Sequence, residues 1–455
     1  MKALLVNPPA GSLYHRLGLR FMPLGLAYVG AALRQGGHSV EVIDFEVAST
    51  NYRKVRYGNY DVVGITSDTT RWPAAVKVAA VAKEAGAIVV AGGPHASFMD
   101  EDALSTGNVD YVVRYEGEVT MVDLMNHLQA GADVTDVLGI SYRRDGHLVR
   151  TPQRPFIENL DSVPWPARDL FPRKSYRSRF EGRELANVLS SRGCPFNCDF
   201  CSCSVLAGLR WRSRSVENIL DELEYLNRRE GYGSVAFFDD NFTLDPNRAV
   251  AISEGILKRG LDIKWWAFSR SDTPVKHPEV VEVMARAGLR EAFVGFESSD
   301  QETLNSSNKK STIEASQEAM RVFRKHKVKV WGAFMLGFEG ETEDMIKKTI
   351  KFAKRLNPYI AQFSLVTPYP GTKLFEKVKG KLHTRDWRRF WGGEPTFKMP
   401  GLAPDRLRKL FKKAYWSWYV RPSKFNFLML YLRSSLRYYT ERKNALKRFM
   451  ALKTS

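Results

Sequence analysis

Ser190-Ser191-Arg192-Gly193-Cys194-Pro195-Phe196-Asn197-Cys198-Asp199-Phe200-Cys201 places three cysteines in a Cys-x3-Cys-x2-Cys pattern. The stretch follows an apolar run, residues 186–189, that reads as the end of a strand. The chain holds four cysteines, and all of them fall between Cys194 and Cys203. Soft thiolates gathered on one loop select zinc or an iron–sulfur cluster. A four-iron cluster held by three thiolates keeps one iron open for another ligand. A structural zinc site is instead closed by four ligands, here with Cys203 as the fourth. Zinc sites usually pair two short knuckles across a spacer, and this sequence has no second knuckle.

Upstream, a chain of 455 residues is long enough for two domains and an appendage. Apolar runs rich in Val and Ile at 3–6, 39–43, 62–66, 88–91 and 111–113 alternate with helical patterns such as 24–34 and 74–85. This predicts a doubly wound, Rossmann-like parallel sheet over residues 1–134. Ligands of such sheets bind outside the carboxyl ends of the strands. Those ends carry Asn7-Pro8-Pro9, Thr66-Ser67-Asp68-Thr69, Gly92-Gly93-Pro94-His95 and Tyr115-Glu116-Gly117-Glu118. No Gly-x-Gly-x-x-Gly follows the first run, so a dinucleotide site is poorly supported. The glycine pair at 92 and 93 lets a bulky planar ligand approach the backbone. Residues 140–144 and 148–151, joined by Asp145-Gly146, read as a hairpin. With Pro152, Pro155, Pro164, Pro166 and Pro172 they form a connection, residues 135–185.

Downstream, residues 186–378 repeat a strand–helix unit. Strands are predicted at 235–238, 265–268, 292–296, 328–336 and 361–365, and helices at 216–228, 279–287, 313–325 and 343–355. The pattern is that of a partial TIM-type (β/α) barrel with its chemistry at the carboxyl ends of the strands. Those ends carry Asp239-Asp240-Asn241, Arg270 and Asp272, Glu297-Ser298, Gly337 with Gly340-Glu341-Thr342, and Thr367 to Gly371. One doubled acid could be a helix cap. Five polar clusters at one end of successive strands argue for a site.

The cysteine motif, with Phe200 before its third cysteine, resembles the signature of the radical S-adenosylmethionine (SAM) superfamily. Asn7-Pro8-Pro9, Gly64-Ile65-Thr66-Ser67 and Gly92-Gly93-Pro94-His95-Ala96-Ser97 resemble the cobalamin-binding half of the cobalamin-dependent members, and the likeness covers residues 1–130 and 186–375. It implies a 4Fe-4S cluster on Cys194, Cys198 and Cys201, whose open iron chelates SAM and whose electron yields a 5′-deoxyadenosyl radical. Arg270 is then expected to meet the SAM carboxylate, and Glu297 or Ser298 its amino group or ribose. Phe200 offers its backbone to adenine. Asp240 and Asn241 are the expected catalytic residues beside SAM or substrate. Asn7, Ser67, Gly92, Gly93, His95 and Glu116 are the expected cobalamin contacts. The Asp-x-His-x-x-Gly motif is absent after the first run, which leaves the lower cobalt ligand open. His95 is the substitute, or else makes a local hydrogen bond at a helix start. Cys203 lies outside the family pattern and is expected to be a small buried residue.

The formal charge of +19 is concentrated in the tail, where residues 401–455 carry fourteen Lys and Arg against Asp405 and Glu441. Residues 379–455 are expected to form a basic, aromatic, mostly helical region around Trp387, Trp391, Tyr415, Trp416, Trp418 and Tyr419. Beyond Phe425, Leu428, Met429, Leu432 and Leu436 recur at helical spacing beside Arg433 and Arg437. Three roles compete: a helical cap on the barrel, a peripheral contact with an anionic membrane that presents a lipid-associated substrate, or RNA binding. Methylthiolating tRNA enzymes carry a second cluster with its own cysteines, and none are spare here, so nucleic acid is set aside. No uninterrupted apolar window reaches about 18 residues, and the N-terminus is unlike a signal peptide. Clustered cysteines suit a reducing, cytoplasmic setting.

The resemblance implies a C-methyltransferase acting on an unactivated carbon of a small-molecule or lipid-associated substrate. One SAM methylates cob(I)alamin, another yields the radical, and the substrate radical collects the methyl group. An external one-electron reductant such as flavodoxin or ferredoxin is implied. The alternatives are a cyclase or skeletal-rearrangement enzyme with the same cofactors and, in another class, a zinc-stabilised binding module.

Overall fold

The computed structural model describes residues 1–9, 20–48, 50–176 and 178–424. The Val- and Ile-rich runs form five parallel strands, β1 (Lys2–Asn7), β2 (Ser39–Asp44), β3 (Val62–Thr66), β4 (Ile88–Gly92) and β5 (Tyr111–Val113), in the order β2-β1-β3-β4-β5. Alternation along β1 sends Leu4 and Val6 to one face and Ala3 and Leu5 to the other. Helix α2 (Trp72–Glu84) packs on the first face, while α1 (Leu24–Gln35) and α3 (Glu118–Ala130) cover the second. The sheet is doubly wound, as its alternating pattern predicts.

The Asp145-Gly146 hairpin, expected in the connection, widens this sheet instead. Strand β6 (Ile140–Arg144) pairs antiparallel with β5, and β7 (His147–Arg150) pairs with β6. An edge as short as β5 leaves backbone groups to be paired, and Ile140 and Tyr142 enter the core of this half. A strap then runs over both halves. The Ala167 amide donates to Ala27 O, the Tyr176 hydroxyl donates to Asp44 at 2.6 Å, and Arg168 pairs with the buried Glu222.

In the second half β8 (Arg179–Phe180) turns antiparallel onto β9 (Arg183–Val188). A small ladder, β10 (Ser191–Arg192) with β11 (Arg212–Ser213), brackets the cysteine loop. Five more parallel strands extend from β9: β12 (Ser234–Phe237), β13 (Lys264–Ser269), β14 (Leu289–Glu297), β15 (Lys329–Leu336) and β16 (Ile360–Leu365). Helices α4 (Val216–Glu224), α5 (Pro246–Lys258), α6 (Pro278–Arg286), α7 (Ile313–Lys325) and α8 (Glu343–Leu356) cover the outer face. Ser215, Asp245, Thr312 and Thr342 cap four of them by accepting a backbone N–H. The sheet ends at β8 and β16 without closing, so it is a half-barrel.

Helix α9 (Pro404–Tyr419) seals the β16 edge. The Tyr415 hydroxyl accepts from Phe363 N and donates to Phe363 O, and the Tyr419 hydroxyl donates to Ala361 O. These bonds satisfy edge groups that would otherwise invite another strand. Ahead of α9, Phe375, Trp387 and Phe390 cross back into the core of the first half. The helical spacing from Leu428 to Leu436 lies outside the described residues. No helix among the described residues is long and apolar enough to cross a membrane.

Candidate active site between the two sheets

The cysteine loop leaves β9 through a turn that only glycine accepts. Gly193 has φ +85°, and a Cβ there would lie 2.1 Å from Arg210 O. The doubled acid after β12 divides the work of holding this loop. Asp239, fully buried, accepts from Ser190 N at 2.7 Å and from the Ser190 and Ser191 hydroxyls at 2.5 Å. Asp240 accepts from Gly193 N at 3.0 Å and opens into a cavity. Desolvation by the walls of the cavity, with the nearby Cys201, raises its carboxyl. Behind the loop, Asn308 donates to Asn197 O, and Asp199 N donates to Ser307 O.

Burial raises the thiols of Cys194 and Cys198, and both feel the charge of Cys201. The neighbouring Cys203 thiol draws Cys201 down. Cys203 is not the small buried residue expected. It stands on a short helical turn, Ser202–Leu206, and its thiol is exposed toward the cavity. Among the described residues no three thiol, imidazole or carboxylate groups converge as they would on a single metal ion. Three thiols on one loop are the donor set of an iron–sulfur cluster.

The cavity, about 320 Å³, lies between the carboxyl ends of β1, β3, β4 and β5 and the cysteine loop. Leu5, Gly64, Thr66 and Gly92 line one side, and Gly193, Cys203, Phe238 and Asp240 the other. Gly25 and Gly92 leave room for a ligand, since a Cβ at Gly25 would meet nothing within 4 Å and one at Gly92 would only touch Val113 O at 3.7 Å. A planar cofactor against one sheet and a cluster against the other both fit this arrangement.

Of the six expected cobalamin contacts, Gly92, Gly93 and Glu116 line the cavity. Asn7 is engaged by Asp44 and Arg71, and the Ser67 hydroxyl by Asp68 O. His95 is fully buried between Trp72 and Trp387, 3.3 Å from the Thr69 hydroxyl, and burial depresses its imidazole to about 3. Glu116 is itself saturated. It accepts from Arg192 at 2.9 Å, from Arg212 at 2.9 and 3.0 Å, and from Ile157 N at 2.8 Å. Arg192 also reaches Glu118 at 2.6 Å. This four-charge lattice ties the cysteine loop to the first sheet. Its arginines escaped the sequence reading, although Arg192 stands two residues before Cys194.

The expected SAM contacts lie around the cysteine loop. The Arg270 guanidinium sits 3.7 Å over the Phe196 ring and donates to Asp272, Lys309 O and Lys310 O. Glu297, at φ +61° where β14 bulges against β15, pairs with Lys309 at 2.7 Å. Ser298 is fully buried, accepts from Asp300 N and lies beside Thr349. Phe200 packs edge-on against Phe338. Asn241 is buried and accepts from the Thr243 hydroxyl, while its Nδ2 has no partner among the described residues. Glu341 accepts from Gly337 N and Phe338 N, leaves Oε1 without a partner, and is pushed by burial to about 7. Orphaned polar atoms beside the loop are what a polar ligand would satisfy.

Family models match both halves: the B12 binding domain over residues 13–125 and the radical SAM superfamily over residues 188–353. An uncharacterised methyltransferase of Pyrococcus horikoshii is 38% identical over 93% of this chain and 93% of its own length. The chain belongs to the cobalamin-dependent radical SAM enzymes. The anaerobic magnesium-protoporphyrin IX monomethyl ester cyclase of Rubrivivax gelatinosus is 28% identical over 90% of this chain and 74% of that enzyme. The radical SAM methyltransferase TsrM of Kitasatospora setae, solved with cobalamin and a [4Fe-4S] cluster bound, shares the fold. Its TM-score is 0.75 at 19% identity, covering 93% of this chain and 91% of that one. The 4Fe-4S cluster, SAM and cobalamin are thus the cofactors of this enzyme's family, and the zinc-module alternative falls.

Proposed function

We propose that this enzyme transfers a methyl group to an unactivated carbon of a small-molecule or lipid-associated substrate. The observation that carries the reading is the single cavity on which the cysteine loop and the carboxyl ends of the first sheet both open. Bound there, the cluster and SAM supply hydrogen abstraction through a 5′-deoxyadenosyl radical, and cobalamin supplies the methyl group. Residues 1–134 with the added hairpin serve as the cobalamin unit, 135–185 otherwise as the strap, 186–378 as the radical SAM unit, and 379–455 as the C-terminal region. Cys194, Cys198 and Cys201 would hold the cluster. Gly92, Gly93 and Glu116 would border the corrin, with Glu116 keeping the loop in register. Asp240 and Asn241 face SAM or substrate, Phe200 flanks SAM, and Arg270 and Glu297 shape its bed. The half-barrel and strap orient the reactants and limit water.

Similarity to the Pyrococcus methyltransferase along nearly its whole length favours methylation over ring closure. A cytoplasmic setting and reduction by flavodoxin or ferredoxin complete the reading. Helix α9 offers a peripheral membrane contact, since Lys409, Lys412, Lys413 and Trp416 are exposed on it. The test is anaerobic turnover of reconstituted enzyme with SAM labelled in its methyl group. Methylation predicts a labelled product, with 5′-deoxyadenosine and S-adenosylhomocysteine formed alongside. 5′-Deoxyadenosine with no labelled product would transfer the assignment to ring closure or rearrangement.

A further inference from the structure

The inner face of the half-barrel carries rings that stand outside the apolar cores of the described residues. Along β12 to β15, Phe237, Trp265, Ala267, Ala292, Val294 and Val330 point outward into the core beneath the helices. By the alternation of a strand, Phe238, Trp266, Phe268, Phe293 and Trp331 point inward. The outward Phe237 and Trp265 are sealed at 0% exposure. Each inward ring, with Phe21 beside them, keeps partial exposure and belongs to none of the apolar cores.

Phe238, Phe268, Phe293 and Trp331 form one layer, and Trp266 stands one step below it on β13. Phe268 is in register with Phe293, and Phe293 with Trp331. Phe238 follows Phe237, which is in register with Ala267, so it stands level with Phe268. Centroids lie 4.9 Å apart for Phe21–Phe238, 5.6 Å for Phe238–Trp266, 5.3 Å for Trp266–Phe268, 4.9 Å for Phe268–Phe293 and 5.6 Å for Phe293–Trp331. One end of the row, Phe238, lines the cofactor cavity beside Asp240. Arg270, whose guanidinium lies over Phe196 of the cysteine loop, stands two residues beyond Phe268, just past the end of β13. The charged residues Glu291 and Lys329 stand one step below the layer, level with Trp266, toward the amino ends of the strands.

Six neighbouring aromatic rings left partly open to water forgo burial worth about 25 cal/mol per Å² of apolar surface. A closed barrel would bury such rings as packing layers; this half-barrel leaves them as a wall. A phosphate- or carboxylate-bearing acceptor would call for Arg or Lys at that level; the row Phe238, Phe268, Phe293 and Trp331 supplies only apolar faces, and Lys329, one step below, is paired with Glu181. We propose that the wall binds an apolar, polycyclic substrate and holds its target carbon at the Phe238 end, beneath the cofactor cavity. The inference rests on the methyl-transfer reading and names its acceptor; flat apolar ring systems match a row of aromatic faces.

The test uses full-length reconstituted holoenzyme, methyl-deuterated SAM and a lysate of the source organism, extracted into chloroform–methanol and water. Enzyme-dependent deuterium in the organic fraction, carried by a ring-containing molecule, is the expected result. Phe293→Gln should lower that product roughly tenfold or more, and Phe293→Leu should retain most of it. The leucine variant keeps the apolar volume, so the contrast reads polarity and not misfolding. Label confined to the aqueous fraction, or an unchanged yield with Phe293→Gln, overturns the apolar acceptor and leaves methyl transfer standing. 5′-Deoxyadenosine without label in either fraction overturns methyl transfer, and this inference with it.

Discussion

The division between Cys198 and Cys203 is decided within five residues. Cys198 is buried in the motif loop, whereas Cys203 sits on a helical turn with its thiol toward the cavity. With Cys194, Cys198 and Cys201 proposed as the three ligands, loss of one would remove a thiolate from the cluster, whereas loss of Cys203 would not. Cys198→Ala is therefore expected to lose the cluster's iron and its reduced-state electron paramagnetic resonance signal, and Cys203→Ala to keep both. Equal loss in the two variants would refute the ligand assignment. Gly193 belongs to the same scale. A methyl group there overlaps the Arg210 carbonyl in a left-handed turn, so Gly193→Ala is expected to resemble Cys198→Ala in iron content.

At the scale of elements, the β10–β11 ladder is held to the first sheet by Glu116, which carries both Arg192 and Arg212. Removing the charge leaves the buried Arg212 without a carboxylate and Arg192 with Glu118 alone, a change worth about 3–5 kcal/mol where a buried pair is broken. Glu116→Gln should lower the urea midpoint markedly. Glu118→Gln should do less, because Glu118 meets only Arg192 among these arginines. Equal effects would mean that Glu116 is not the hub. The strands on either side were legible in the sequence because Val- and Ile-rich runs between helical patterns leave few other solutions. Pairing across long separations was not. The hairpin at residues 140–150 reads the same whether it joins a sheet or a linker, and β5 decides. His95 looks like a ligand until Trp387, distant in sequence, packs over it. Arg270 lies where the carboxyl-end rule places it, yet its guanidinium is spent on Phe196 and two carbonyls. Sequence position locates a residue on a strand end; it does not say which neighbours the folded chain brings to that side chain.

For the whole molecule, an open half-barrel carries charged groups on its inner face below the aromatic layer, and that has a consequence for stability against pH. Glu291 is 8% exposed, and burial raises its carboxyl from 4.5 to about 7; Lys329 partly offsets this and Glu181 adds to it. Between about pH 4.5 and 7 the folded chain therefore holds a proton that the unfolded chain has released. The stabilisation is fully present below pH 4.5 and is lost as pH rises through 7. Glu341, also raised to about 7, acts in the same direction. Replacing Glu291 with glutamine removes one titration while keeping shape and polarity. Urea midpoints of wild type should fall between pH 5 and pH 8. In Glu291→Gln the fall should be shallower by the equivalent of about 3 kcal/mol. Parallel profiles for the two proteins would mean that Glu291 ionises in the fold as it does in water, with the base of the half-barrel wet and screened.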